Sequence, residues 1–407
     1  MTSRKRKLND NKDKNNAKKL NVGMPDDWRD EDTVLIKSYK TQSPNEKIAA
    51  FDLDETLIRP KGKNKFPKNA DDWQFTYSFI PNKLKKLVED GFRVVIFSNQ
   101  NGFSRIDSKK NAKIKEEQFK IKINNIFKIL DIPIMIFCAV EKDKFRKPCK
   151  GIWNTFLEKY NKVDINYEKS FYCGDAAGRP EGWKRGVKKD HSDNDRKFAL
   201  NCNLKFYTPE EYFMNEKPAT FKLVSDPNIL KNRKIALFEP SDKPLIPEDK
   251  HIEMIIFVGY PGSGKSHFAK KYLLPKGYVH INQDTLKTAD KCLKAAENEL
   301  EMKHSVVIDN TNPSKDKRIK FIKIAKKLNI PVRCFKFETD EEISLHNNKY
   351  RQIVKDETLI PNIAYRFYNS NYSEPTLSEG YEEIKKINFI PSFDEKSQED
   401  EYYSYYI

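Results

Sequence analysis

Residues 47–56 read Lys-Ile-Ala-Ala-Phe-Asp-Leu-Asp-Glu-Thr. The apolar run 47–51 suits a short buried strand, and it delivers two aspartates, Asp52 and Asp54, at its carboxyl end. On an extended chain, residues two apart point the same way. Both carboxylates are therefore expected to face the crevice where open α/β sheets bind ligands. Working outward, strand-like runs recur at 92–97, 134–139 and 171–173, with helix-like sequence at 82–89 (closed by Gly91) and 116–130. Strands alternating with helices imply a parallel sheet with right-handed crossovers.

Three further pieces follow in order near strand ends. Ser98 and Asn99 offer a hydroxyl and backbone N–H groups to phosphate oxygens, Lys147 offers a positive charge, and Asp175 offers another carboxylate. This set suits phosphate removal through a covalent intermediate. Asp52 would attack phosphorus, while Asp54 protonates the leaving oxygen and later takes a proton from water. Carboxylates this close repel, so Mg²⁺ held by Asp52, Asp54 and Asp175 is expected. The four pieces together resemble the haloacid dehalogenase superfamily of phosphatases.

A second unit begins near residue 251. Residues 259–266 read Gly-Tyr-Pro-Gly-Ser-Gly-Lys-Ser, between a strand-like run at 254–258 and a helix start. In such a loop Gly259, Gly262, Ser263 and Gly264 present backbone N–H groups to the phosphates of ATP. Lys265 reaches the outer phosphate oxygens, and Ser266 binds Mg²⁺. Asp284 is the candidate general base for an attacking hydroxyl, or else an N-cap for the next helix. Asp309, after the strand-like run 306–308, is placed to orient hydrated Mg²⁺. Arg318, Lys349 and Arg351 are candidate lid cations over the transferring phosphoryl group.

The 407 residues exceed what one core usually supports, so two domains are expected. With 76 basic against 60 acidic residues the net charge is +16, which favours a polyanionic partner, nucleic acid before membrane. No apolar run approaches the roughly 20 residues of a membrane span. Six cysteines and six histidines lie scattered, without metal-binding spacing. Residues 1–45 read as a disordered basic tail. Its clusters at 3–7 and 18–19 suit either nuclear import or a loose grip on nucleic acid. The expected layout is a phosphatase domain over 46–222, a proline-rich linker over 223–250, a kinase domain over 251–391, and an acidic, tyrosine-rich tail over 392–407.

With these residues in view, the chain resembles the eukaryotic polynucleotide kinase 3′-phosphatases from about residue 46 to 391. The resemblance rests on 51–58, 97–105, 146–148, 172–180, 259–266, 284–286, 308–313, 346–351 and 374–380. It implies two doubly wound parallel-sheet domains of the α/β class, a haloacid dehalogenase-like phosphatase followed by a P-loop kinase. It also implies removal of 3′-phosphates by Asp52, phosphorylation of 5′-hydroxyls with ATP aided by Asp284, and Mg²⁺ at both sites. DNA ends are the implied partner, with a repair ligase or scaffold protein as a further one, in a nuclear monomer. RNA end-healing, or a small-molecule phosphatase/kinase fusion, stays open as an alternative. Two departures stand out. The 45 leading residues are too few for the forkhead-associated domain of many animal members, and Lys320 stands where relatives often carry a second arginine. Lysine cannot make arginine's forked phosphate contact.

Overall fold

The apolar run ahead of Asp52 is an inner strand of a seven-stranded sheet in the computed structural model, which describes residues 28–64, 66–104, 111–248 and 251–407. In chain order the strands of the first domain are β1 (Arg29–Glu31), β2 (Val34–Tyr39), β3 (Ile48–Phe51), the small hairpin β4 (Ile58–Arg59) and β5 (Gln74–Phe75), β6 (Arg93–Asn99), β7 (Ile134–Ala139), β8 (Phe171–Cys173) and β9 (Lys205–Tyr207). The sheet order is β1-β2-β7-β6-β3-β8-β9. Strands β7, β6, β3, β8 and β9 run parallel.

Every residue of β3 and β7 is buried, as expected of strands covered on both faces. One face is covered by α1 (Ile80–Glu89) and α2 (Ala112–Leu130), through Leu84, Phe119 and Ile123. The other face is covered by α3 (Gly151–Thr155) and α4 (Asn194–Asn201), through Trp153 and Phe198. Helix α5 (Pro209–Met214) closes the domain with a capping box between Thr208 and Glu211.

The second domain repeats the principle. A proximal strand β10 (Phe238–Glu239) precedes β11 (Met254–Val258), β12 (Val279–Ile281), β13 (Val306–Ile308), β14 (Val332–Phe337) and β15 (Glu383–Ile387). Their order is β10-β15-β14-β11-β13-β12, parallel throughout except at β10. The helices are α6 (Lys265–Phe268), α7 (Gln283–Leu286), α8 (Ala289–Glu301), α9 (Lys315–Lys327), α10 (Glu341–Lys355), α11 (Asn362–Asn371) and α12 (Lys396–Tyr402). Helices α8 and α9 pack on one face through Ala296, Leu300, Phe321 and Ile322, and α6 packs on the other.

The structure corrects three boundaries. Residues 28–45, expected in the tail, include β1 and β2. The buried Val34-Leu35-Ile36 triplet draws β2 onto β7 antiparallel, in register Val34↔Ala139. The two basic clusters of the tail lie outside the described residues. The expected linker supplies β10 to the second sheet and a buried Leu230 to an interdomain cluster. The expected acidic tail instead forms α12 and tucks Tyr402 and Tyr406 into that same cluster, with Cys149 of the first domain and Ile343 and Tyr350 of α10. Aromatic area outweighs the acidic composition there.

Candidate active sites

Asp52 continues the β3 ladder by donating its N–H to the Cys173 carbonyl at 2.8 Å, so the chain stays extended as it leaves the sheet. Buried Leu53 then separates Asp52 from Asp54. The Lys147 ammonium, 3% exposed, lies 2.6 Å from Asp52 Oδ1, 2.7 Å from Asp195 Oδ1 and 2.7 Å from the Tyr172 hydroxyl. Tyr172 in turn donates to Asp195 Oδ1 at 2.9 Å.

Asp195 was not anticipated. In sequence it belongs to Asp193-Asn194-Asp195 at the start of α4, a pattern indistinguishable from helix capping and first-turn acidity. The readable trace was Gly174: a Cβ there would meet Asp195 Cγ at 2.5 Å, so only glycine lets the carboxylate lie against the backbone.

The ammonium pairs with two members of a cluster of three carboxylates, since ligand oxygens of Asp52, Asp175 and Asp195 lie within 4.8 Å of one another. Burial pushes Asp52 up to about 7, and Asp195 and Asp54 add to the push against the pull of Lys147. Asp175 is likewise held well above the usual carboxylate range, by burial first and then by Asp195 and Asp52. Hard oxygen donors with surplus negative charge fit a divalent cation such as Mg²⁺.

Asp54, expected as a ligand too, stands outside this cluster: its Oδ2 accepts from Gln100 Nε2 at 2.7 Å, and Lys122 Nζ lies 3.7 Å from its Oδ1. That leaves it half-exposed, two residues on from Asp52. Ser98 is buried and accepts from the same Gln100 amide at 2.9 Å. The Asn99 side-chain amide both donates to and accepts from the backbone of Lys147 at 2.9 Å. Its side chain thereby fixes the backbone of Lys147.

In the second domain the glycine-rich loop joins β11 to α6. Gly262 and Gly264 have φ of +77° and +90°. A Cβ on Gly262 would meet the Ser344 carbonyl at 2.6 Å. Lys265 is buried and bonds the Gly259 carbonyl at 3.0 Å and Ser263 Oγ at 3.2 Å. Burial pulls its pKa down to about 8, against the opposing pull of Asp309 and Asp284. Asp309 Oδ2 is 2.8 Å from His280 Nε2, a partner not anticipated from the sequence. Ser266 is exposed at the start of α6. Asp284 is exposed in the first turn of α7, and the cap there is Asn282, whose side chain accepts from Thr285 N at 2.8 Å. The capping alternative for Asp284 is thereby removed.

Two of the three expected lid cations lie elsewhere. Arg318 is fully buried and pairs with Glu379 at 2.7 Å, while also bonding the carbonyls of Asn312, Pro313 and Ser373. Its guanidinium pins the loop before α9 to the 373–379 segment and cannot reach a phosphate. The Lys349 ammonium bonds Gln352 Oε1 of its own helix at 3.0 Å, and burial lowers its pKa, with Cys149, Lys142, Arg146 and Asp143 of the first domain contributing to its electrostatics. Arg351 alone stays at the surface, paired with Glu357.

These two sheets, one ending in a lysine-braced aspartate cluster and the other in a phosphate-binding loop, define a haloacid dehalogenase-type phosphatase joined to a P-loop kinase. The family described as polynucleotide kinase 3 phosphatase matches residues 47–213, and that described as AAA domain matches 254–375. The chain is 39% identical over 366 residues to the bifunctional polynucleotide phosphatase/kinase of Schizosaccharomyces pombe, covering 89% of this chain and 84% of that protein. A relative from Acanthamoeba polyphaga mimivirus is 35% identical over 411 residues and covers 92% of each chain. The polynucleotide 3′-phosphatase of Saccharomyces cerevisiae is 29% identical over 218 residues, 41% of this chain and 87% of that one. The chain belongs to the bifunctional polynucleotide phosphatase/kinase family.

Proposed function

We propose that this chain heals DNA ends during strand-break repair, removing a 3′-phosphate at one site and phosphorylating a 5′-hydroxyl with ATP at the other. In the first reaction an Asp52 oxygen attacks phosphorus and the ester P–O bond breaks. Asp54 gives its proton to the departing 3′-oxygen, then takes one from the water that hydrolyses the aspartyl phosphate. Lys147 holds Asp52 and offsets the charge that collects at the phosphoryl oxygens. Asp52, Asp175 and Asp195 would hold a divalent cation, which would supply further charge neutralisation.

In the second reaction Asp284 takes the proton of the 5′-hydroxyl as its oxygen attacks the γ-phosphorus, and ADP leaves. Lys265 and the loop N–H groups stabilise the phosphates, and Ser266 would help to hold Mg²⁺. Arg351 of α10 is the candidate cation to close over this site.

The observation that carries this reading is the presence of both constellations in a chain that aligns along most of its length with a bifunctional relative. The net charge of +16 favours an extended polyanion over a small phosphate ester. A nuclear setting fits the basic clusters near the start of the sequence, and no described helix is long and apolar enough to cross a membrane. A monomer, aided by a ligase or scaffold partner, completes the proposal.

The test is turnover on single-stranded, nicked and RNA oligonucleotides carrying 3′-phosphate and 5′-hydroxyl ends, against sugar phosphates and nucleosides. DNA ends should be processed fastest and with a strong salt dependence. Faster turnover of the small molecules, or of RNA, would overturn the DNA assignment.

A further inference from the structure

The carbonyls of the phosphate loop are held from behind. Asn347 Nδ2 donates to the Gly262 carbonyl at 2.9 Å, and Thr339 Oγ1 donates to the Ser263 carbonyl at 3.0 Å. Drawing these carbonyls away from the cleft turns loop N–H groups toward the phosphates. Asn347 has an orienter of its own. The Tyr402 hydroxyl donates to Asn347 Oδ1 at 2.6 Å, and the neighbouring His346 Nε2 bonds the Tyr402 carbonyl at 2.8 Å. All three residues are buried, so water does not compete for these bonds.

The segment that carries Tyr402 rests on the other domain. Tyr405 N donates to Asn201 Oδ1, and Asn201 Nδ2 donates to the Tyr405 carbonyl, both at 2.8 Å. The same amide reaches the Pro148 carbonyl at 2.7 Å, and Lys197 Nζ donates to the Ile407 carbonyl. Asn201 and Lys197 belong to α4, the helix of Asp195, and Pro148 follows Lys147. An unbroken series of bonds therefore runs from the edge of the phosphatase site, through residues 402–407, to Gly262.

We propose that residues 402–407 form a strap that sets the shape of the phosphate loop. Tyr402 and Asn347 are positioning residues for ATP, and the footing of the strap on α4 makes the kinase site depend on the phosphatase domain. The proposal rests on the kinase reading of the second site. Neither residue takes part in the chemistry, so the effect falls on ATP affinity.

Tyr402→Phe removes one hydroxyl and keeps the ring. In the full chain the KM for ATP and the Kd for Mg-ATP should both rise roughly five-fold, the effect of one buried hydrogen bond. The 3′-phosphatase kcat and KM should stay unchanged. Asn201→Ala, a substitution in the first domain, should raise the same KM. Tyr402→Phe added to Asn347→Ala should raise it no further, because the two act in series.

A merely structural role would lower the melting temperature and the active fraction while leaving the KM for ATP fixed. A KM within two-fold of wild type in Tyr402→Phe, or full additivity with Asn347→Ala, overturns the strap. A rise in Tyr402→Phe without one in Asn201→Ala overturns its dependence on the phosphatase domain. Failure of the wild-type chain to phosphorylate any 5′-hydroxyl would sink the kinase reading instead, and the Mg-ATP Kd would still decide the strap.

Discussion

The Lys147 ammonium sits 2.6 Å from Asp52 Oδ1, buried, and is shared with Asp195 at 2.7 Å. Removing it leaves three close carboxylates without an internal counter-charge. Lys147→Met should lower phosphatase kcat by about 100-fold or more, the loss expected of one preorganised charge. Kinase turnover should persist. Stability should fall by no more than about 3 kcal/mol, since orphaned buried carboxylates take up protons in place of remaining charged. The check is paired activity assays with thermal melts. Mg²⁺ should raise the melting temperature of wild type and fail to do so in Asp175→Asn.

Gly174→Ala tests the missed carboxylate. The added methyl would strike Asp195 Cγ, whose separation from the new Cβ would be 2.5 Å. Displacing Asp195 disturbs Lys147 and the cation cluster together. Phosphatase activity is expected to drop by about two orders of magnitude, with the KM for ATP unaltered. Near-normal phosphatase turnover in this variant would show that Asp195 is dispensable.

Arg318 separates a structural from a catalytic role. Its pair with Glu379 is wholly buried, so Arg318→Met strands a buried carboxylate and should cost about 3 kcal/mol or more. Differential scanning calorimetry should show the second domain melting early. A lid arginine would behave differently, with reduced kinase kcat and unchanged melting.

Acid should loosen the contact between α10 and α12. Burial lowers the His346 pKa from its ordinary 6.5 to about 4, although its bond to the Tyr402 carbonyl opposes this. The unfolded chain therefore takes up a proton below about pH 6.5 while the folded chain does not until about pH 4. Stability from this group is complete above pH 6.5 and is lost as pH falls toward 4, by at most about 3 kcal/mol. Urea melts between pH 7 and 4.5 should show this slope in wild type and a shallower one in His346→Gln.

Much of this was readable from residues alone, for a physical reason. Strands β3, β6, β7, β8, β13 and β14 are short apolar runs punctuated by glycine or by charge, and their carboxyl ends hold Asp52, Ser98, Asp175 and Asp309. Phosphate chemistry confines such groups to strand ends, so sequence position and site coincide. What escaped notice depends on contacts distant in sequence. Asp195 meets Lys147 across 48 residues, and Arg318 meets Glu379 across 61. An arginine in the first turns of a basic helix looks the same whether it faces phosphate or a buried glutamate. Strand β2 was masked by polar neighbours, and the 392–407 segment by its acidity, though its tyrosines are what bury it.

The central claim is that two separate sites in one chain act on opposite termini of a nucleic acid strand. It is tested most directly with Asp52→Asn and Lys265→Ala, on an oligonucleotide bearing both a 3′-phosphate and a 5′-hydroxyl, followed by mass. The account predicts that Asp52→Asn adds the 5′-phosphate but retains the 3′-phosphate, and that Lys265→Ala does the reverse. Loss of both activities in either variant, or of neither, would contradict it.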